Sequence, residues 1–144
     1  MIHVVFDTNI VISGYLWFGA PYQAINAISE RKTRLLTSES LVDELKDVIS
    51  RPKFKKRLEI VGKTAEEVVA EFLKLAEIIE VETIPPTIID DPDDDMVLAC
   101  AVSGKAELIV SGDPHLLEKQ NFRNIPIVTV NTFLERMKVS NDSQ

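Results

Sequence analysis

Cysteine occurs once, at Cys100. No disulfide can therefore form within the chain, a usage expected in a reducing compartment such as the cytosol. Histidine occurs only twice, and neither His3 nor His115 has the partners of a nucleophilic triad. Apolar runs fall short of the roughly 18 residues needed to span a bilayer. The opening Met1-Ile2-His3 lacks the basic n-region and cleavage site of a secretory leader, so a cytoplasmic protein with no membrane segment is expected. Basic charge is also in short supply, with 16 Lys and Arg against 23 Asp and Glu and a net charge of -7. That balance argues against a broad nucleic-acid-binding surface. Repeats, low-complexity tracts and internal linkers are missing too, which excludes solenoids and multidomain arrays.

What is present fits one globular unit. The 144 residues are 45% hydrophobic and 27% charged, enough for a single domain with its own core. A domain over residues 1–138 and a polar tail over 139–144 are expected. The cations are unevenly spread, nine of the 16 lying in residues 31–57.

Strands alternate with helices along the chain. Val4 to Phe6, Arg34 to Thr37, Leu108 to Val110 and Ile127 to Val130 are apolar, β-branched runs of strand length, and a short strand is also expected within 78–84. Between them lie helical patterns: a segment after the first strand through Leu16, Tyr22 to Glu30, about Glu39 to Ile49 capped by Ser38, a basic segment over Lys53 to Leu58, and Thr64 to about Ile79 behind a capping box. Further helices are expected over Asp93 to Ser103, after Asp113-Pro114, and over Thr132 to Lys138. This alternation predicts an α/β fold, a three-layer α/β/α sandwich around a mainly parallel sheet.

Four carboxylates stand out by position. Asp7 and Asp113 each follow an apolar strand directly, which places both at the carboxyl edge of a parallel sheet, where ligands bind. Each also suits a helix N-cap, and Pro114 strengthens that assignment for Asp113. Glu44 lies about 40° from Val48 and about 60° from Leu41 around its helix, on the border of the apolar stripe. Asp43 and Asp47 point further toward solvent. In Asp90-Asp91-Pro92-Asp93-Asp94-Asp95, Val97, Leu98, Ala101 and Val102 define an inward face, with Asp94 near its middle by the same ~100° step. Singly, each acid also suits a solvated or capping role. Together they would repel one another and call for a compensating charge. Oxygen donors without nearby Cys or His favour Mg²⁺ or Mn²⁺ over zinc. A calcium loop is excluded, since Met96 stands where that loop needs Gly.

These motifs resemble those of PIN-domain nucleases, especially the prokaryotic toxins related to VapC. Phe6-Asp7-Thr8-Asn9 is similar to that family's first motif, Ser38 with Glu44 to its second, Asp91-Pro92-Asp93-Asp94-Asp95 to its third and Ser111-Gly112-Asp113 to its fourth. The resemblance implies a metal-dependent endoribonuclease in which Asp7, Glu44, Asp94 and Asp113, with Asp95 as a further candidate, hold one or two Mg²⁺ or Mn²⁺ ions. Thr8, Asn9, Ser38 and Ser111 would support these ligands. It also implies an RNA substrate, a homodimer and a cognate antitoxin.

Arg51, Lys53, Lys55, Lys56 and Arg57 surround Phe54 and suit contact with an RNA backbone, or equally a solvated segment. Trp17-Phe18 suits either the core or an exposed patch. Two rival functions remain. An aspartyl nucleophile would make Asp7 a phosphatase or receiver residue, but Asn9 occupies the place of the second Asp that such phosphatases use. A non-catalytic module would keep the acids for metal or partner binding alone.

Overall fold

The computed structural model describes residues 2–30, 33–82 and 92–142. Its described strands form one sheet: β1 (Ile2–Phe6), β2 (Thr33–Thr37), β3 (Ala76–Ile78), β4 (Leu108–Val110), β5 (Asn121–Phe122) and β6 (Ile125–Val128). Their order is β3-β2-β1-β4-β6-β5. All neighbours run parallel except β5, which is antiparallel to β6. The helices are α1 (Thr8–Leu16), α2 (Ala20–Ser29), α3 (Glu39–Ile49), α4 (Lys55–Val61), α5 (Ala65–Leu75), α6 (Pro92–Ser103), α7 (Pro114–Lys119) and α8 (Val130–Asp142), with a 3₁₀ turn at Pro52–Phe54.

The period-2 alternation of β1 divides the core in two. Val4 and Phe6 pack with α1, α2, α5 and α8 through Leu16, Ile25, Phe72 and Phe133. Val5 packs on the other face with Leu98 and Ala101 of α6 and Leu116 of α7. Helices thus cover both faces of the sheet, the expected three-layer arrangement. Gly14 lets α1 and α2 approach closely, since a Cβ there would meet Ile25 Cγ1 at 2.5 Å and the Pro21 carbonyl oxygen at 3.0 Å. Gly62 closes α4 with a left-handed φ of 73°, a conformation that favours glycine.

Several boundaries differ from those expected. The helix behind Thr64 stops at Leu75, because Ala76 to Ile78 pair with Leu35 to Thr37 instead. Sheet pairing there outweighs the helical period. The last helix starts at Val130, two residues early, and runs on to Asp142, into the segment expected as a tail. Thr129 accounts for the early start, its hydroxyl accepting from the Thr132 amide at 3.2 Å. Strand β5 had no forecast. Its hairpin turns through Arg123 and Asn124, both at positive φ, without the glycine that usually marks such a turn. Of the strand expected within 78–84 only Ile78 is strand, as the end of β3; residues 79–82 are not, and residues 83 and 84 lie outside those described.

Candidate active site at the carboxyl edge of the sheet

Strand β1 ends at Phe6, and the next residue caps α1. The Asp7 amide donates to the Val110 carbonyl at 3.1 Å, continuing the ladder to β4. Its Oδ1 then accepts from the Ile10 amide at 3.0 Å, the bond that starts the helix. Oδ2 accepts from the Ser111 hydroxyl and, at 3.4 Å, from the Gly112 amide. Asp7 is only 7% exposed. Among the described residues no ion pair involves Asp7.

This carboxylate is therefore buried among neutral donors. Burial raises its pKa above 3.8, the hydrogen bonds from Ser111, Ile10 and Gly112 oppose the rise, and the nearby charge of Asp113 adds to it. Burial outweighs the donors.

Ser111 joins two of the acids. It is fully buried, donates to Asp7, and accepts from the Asp113 amide at 2.9 Å. Asp113 caps α7, its Oδ1 accepting from the His115 amide at 2.8 Å. The capping assignment for Asp113 thus holds, alongside its place next to Asp7. His115 is exposed.

Thr8 supplies a second link. It is buried, and its Oγ1 donates to Glu44 Oε2 at 2.6 Å. Glu44 is half-buried beside the core residues Leu41, Leu45 and Val48, whereas Asp43 and Asp47 are exposed. Two adjacent residues at one strand end, Asp7 and Thr8, thus tie the carboxyl ends of β1 and β4 to the middle of α3.

Helix α6 leads into β4 at the amino edge, where the Glu107 amide donates to the His3 carbonyl at 2.7 Å. Its first turn, at Pro92 to Asp95, consequently lies at the carboxyl edge. The side chains of Asp93 and Asp94 lie outside the described residues, and Asp95 is half-buried. Behind them Val97, Leu98, Cys100 and Ala101 are buried, whereas Val102 is half-buried. Cys100 therefore packs in the core, and of the apolar residues expected on the inward face Val102 alone is not fully buried. Among the described residues, no three His, Cys, Asp or Glu side chains already stand as a metal-ligand group.

The supporting residues divide. Thr8 and Ser111 touch carboxylates. Ser38 is buried and caps α3, accepting from the Leu41 amide at 3.2 Å. Asn9 is exposed, and its side chain makes no hydrogen bond among the described residues.

The basic segment lies elsewhere. Arg57 Nε donates to the Leu16 carbonyl at 2.6 Å, at the far end of α1 from Asp7, roughly 13 Å along the helix axis. Arg51 pairs with Asp47 at 3.0 Å, and Lys53 lies over the Phe54 ring. Lys53, Lys55 and Lys56 are exposed. Sequence reasoning did not foresee the contact of Trp17 with Arg57 or the Gly112 amide reaching Asp7. The Trp17–Arg57 pair is 40 positions apart and leaves no local signal.

Comparison with known proteins supplies the remaining observations. A family model described as "PIN domain" matches residues 3–115. The fold is similar to that in the crystal structure of VapBC2 from Rickettsia felis bound to a DNA fragment from their promoter, with a TM-score of 0.61 at 15% identity, covering 89% of this chain and 98% of that one. It is also similar to PAE2754 from Pyrobaculum aerophilum, with a TM-score of 0.53 at 15% identity, covering 96% and 98%. A sequence search of curated proteins finds no match. At this identity the solved structures speak to the fold alone. No helix among the described residues is long and apolar enough to cross a membrane.

Proposed function

The chain belongs to the PIN-domain family, and from that premise we propose that it is a metal-dependent endoribonuclease whose site is the carboxyl edge around Asp7. The observation that carries the reading is Asp7 itself. A buried carboxylate held by neutral donors, with a second acid adjacent, is costly without a positive charge. A hard divalent cation fits that need and an all-oxygen donor set. Asp7, Glu44, Asp113 and Asp94 would hold Mg²⁺ or Mn²⁺, as one or two ions, with Asp95 as a further donor.

When bound, such an ion activates water and stabilises charge on the phosphate and the leaving oxygen. The chain's own residues prepare the site. Ser111 fixes Oδ2 of Asp7 and the backbone of Asp113 together, and the Ile10 amide fixes Oδ1. Thr8 orients Glu44. These bonds set the carboxylates before any ligand arrives, which lowers the reorganisation needed on binding. The aspartyl-nucleophile reading has less support, because both oxygens of Asp7 already accept hydrogen bonds and the side chain is almost wholly enclosed.

The resemblance to VapC-like toxins supports a toxin role, with a cognate antitoxin, a homodimer and a cytoplasmic setting. One similar fold comes from a VapBC2 complex. The decisive experiment is RNA cleavage by purified protein with Mg²⁺ or Mn²⁺, against the same protein in EDTA and the Asp7→Asn variant. Cleavage that requires both metal and Asp7 supports the reading. Equal cleavage in all three sinks it. Co-purification of a partner encoded beside the gene tests the antitoxin assignment separately.

A further inference from the structure

At the C-terminal end of α1 the chain exposes aromatic surface among cations. Trp17 is 42% exposed and Phe18 71% exposed. The Arg57 guanidinium lies 5.1 Å from the Trp17 ring centroid, and its Nε bond to the Leu16 carbonyl keeps it there. Phe18 meets Tyr22 edge-on at 5.2 Å. Lys53, Lys55 and Lys56 extend from the adjoining 3₁₀ turn and α4.

This arrangement runs against two general tendencies. Aromatic rings are a main source of buried apolar area, yet Trp17 is half-exposed and Phe18 largely exposed. A chain of net charge -7 also gathers five cations within residues 51–57. Aromatic faces beside a run of cations match a polyanion that carries flat rings, which is the chemistry of single-stranded nucleic acid. An apolar partner would leave the lysines without a counterpart.

We propose that Trp17 and Arg57, with Lys53, Lys55 and Lys56, form a stacking subsite for single-stranded RNA. The rings take a base, and the lysines take flanking phosphates. Helix α1 places this subsite roughly 13 Å from Asp7 along its axis, a length of a few nucleotides. That the bound strand is also the substrate rests on the nuclease reading above; the binding itself does not.

Trp17 is the chain's sole tryptophan, so its emission reports directly on this spot. Wild-type protein in EDTA is titrated with a short mixed-sequence single-stranded RNA, with the same RNA annealed to its complement, and with poly-glutamate. Saturable quenching by the single strand, with weaker quenching by the duplex, is expected. Labelled-RNA anisotropy should show about tenfold weaker binding for Trp17→Ala, with most of the affinity restored in Trp17→Phe. The Lys53→Ala/Lys55→Ala/Lys56→Ala variant should also bind about tenfold more weakly. No quenching by single-stranded RNA, or equal quenching by the duplex, overturns the proposal. Quenching by poly-glutamate with RNA silent overturns it as well and identifies an acidic protein partner. Metal-dependent cleavage without quenching refutes the subsite and leaves the nuclease reading standing. Quenching without any cleavage does the reverse.

Discussion

The two ends of α1 make opposite uses of one helix. At its N-terminus Asp7 is buried, held by neutral donors and close to another acid. At its C-terminus Arg57 donates to the Leu16 carbonyl and stands beside the exposed Lys53, Lys55 and Lys56. Both placements agree with the helix dipole, which favours negative charge at the first turn and positive charge at the last. They differ in enclosure. The acid end is built into the sheet, and both oxygens of Asp7 accept hydrogen bonds, as the proposed chemistry requires. The basic end is open and carries flexible side chains, as a surface that tolerates varied sequence must be. Damage to the first should therefore remove turnover, and damage to the second should weaken capture.

The largest effect is expected from Asp7→Asn. Loss of the charge at the most enclosed carboxylate among the described residues should lower RNA cleavage at least ~1000-fold, a size suited to a metal-ion site. Gel-based cleavage with Mn²⁺ in excess checks this. Retained activity would detach the chemistry from the N-terminal end of α1.

Ser111→Ala should act through two bonds at once. Asp7 loses a donor and the Asp113 amide loses its acceptor. Cleavage should fall about 10- to 100-fold, the range for supporting residues at a metal site. Stability should drop by about 1–3 kcal/mol, because the buried Asp7 carboxylate loses a donor and the part-buried Asp113 amide loses its acceptor. Turnover and urea unfolding measured on the same preparation separate the two effects. Thr8→Val, which keeps the shape and removes only the bond to Glu44, should cost about tenfold in turnover.

How far the sequence announced these two ends differs, and the reason is range. Asp7 was legible because a strand, an acid and a helix follow one another within a few residues. Glu44 was legible because helical angles are local arithmetic, and its half-buried place beside Leu41 and Val48 matches that arithmetic. The buried face of α6 was only partly legible. Val102 is only half-buried where full burial was expected, since the helix packs on strands from distant parts of the chain. The hairpin at Arg123-Asn124 was invisible because two ordinary residues take the positive φ that glycine usually signals. The Trp17–Arg57 contact was beyond reach, because it depends on α4 folding back against α1.

At the basic end, the triple lysine variant should raise KM about tenfold and leave kcat unchanged. It should also make the salt dependence of RNA binding shallower, by about 2 in the log–log slope, if each lysine neutralises one phosphate. An effect on kcat instead would mean that this end orients the strand for cleavage rather than capturing it.

The smallest effect, and the sharpest test of enclosure, concerns stability without metal. Asp7 has a native pKa raised above 3.8, chiefly by burial. Between 3.8 and that raised value the native state holds more protons than the unfolded state. Stability must then fall as pH rises through this window. Below the window both states are protonated and nothing is lost. Above it the penalty is complete and constant. The Asp7→Asn variant lacks this titration. In EDTA, therefore, wild type should lose stability relative to the variant as pH rises from 3.8, on the order of 1 kcal/mol for each unit by which the native pKa is raised. Added Mn²⁺ should reverse the loss in wild type above the window and do little for the variant. Urea unfolding across pH, with and without Mn²⁺, measures both. A difference between the two proteins that stays flat with pH would mean that the neutral donors already offset the burial of Asp7, and the argument that this end of α1 requires a cation would fail.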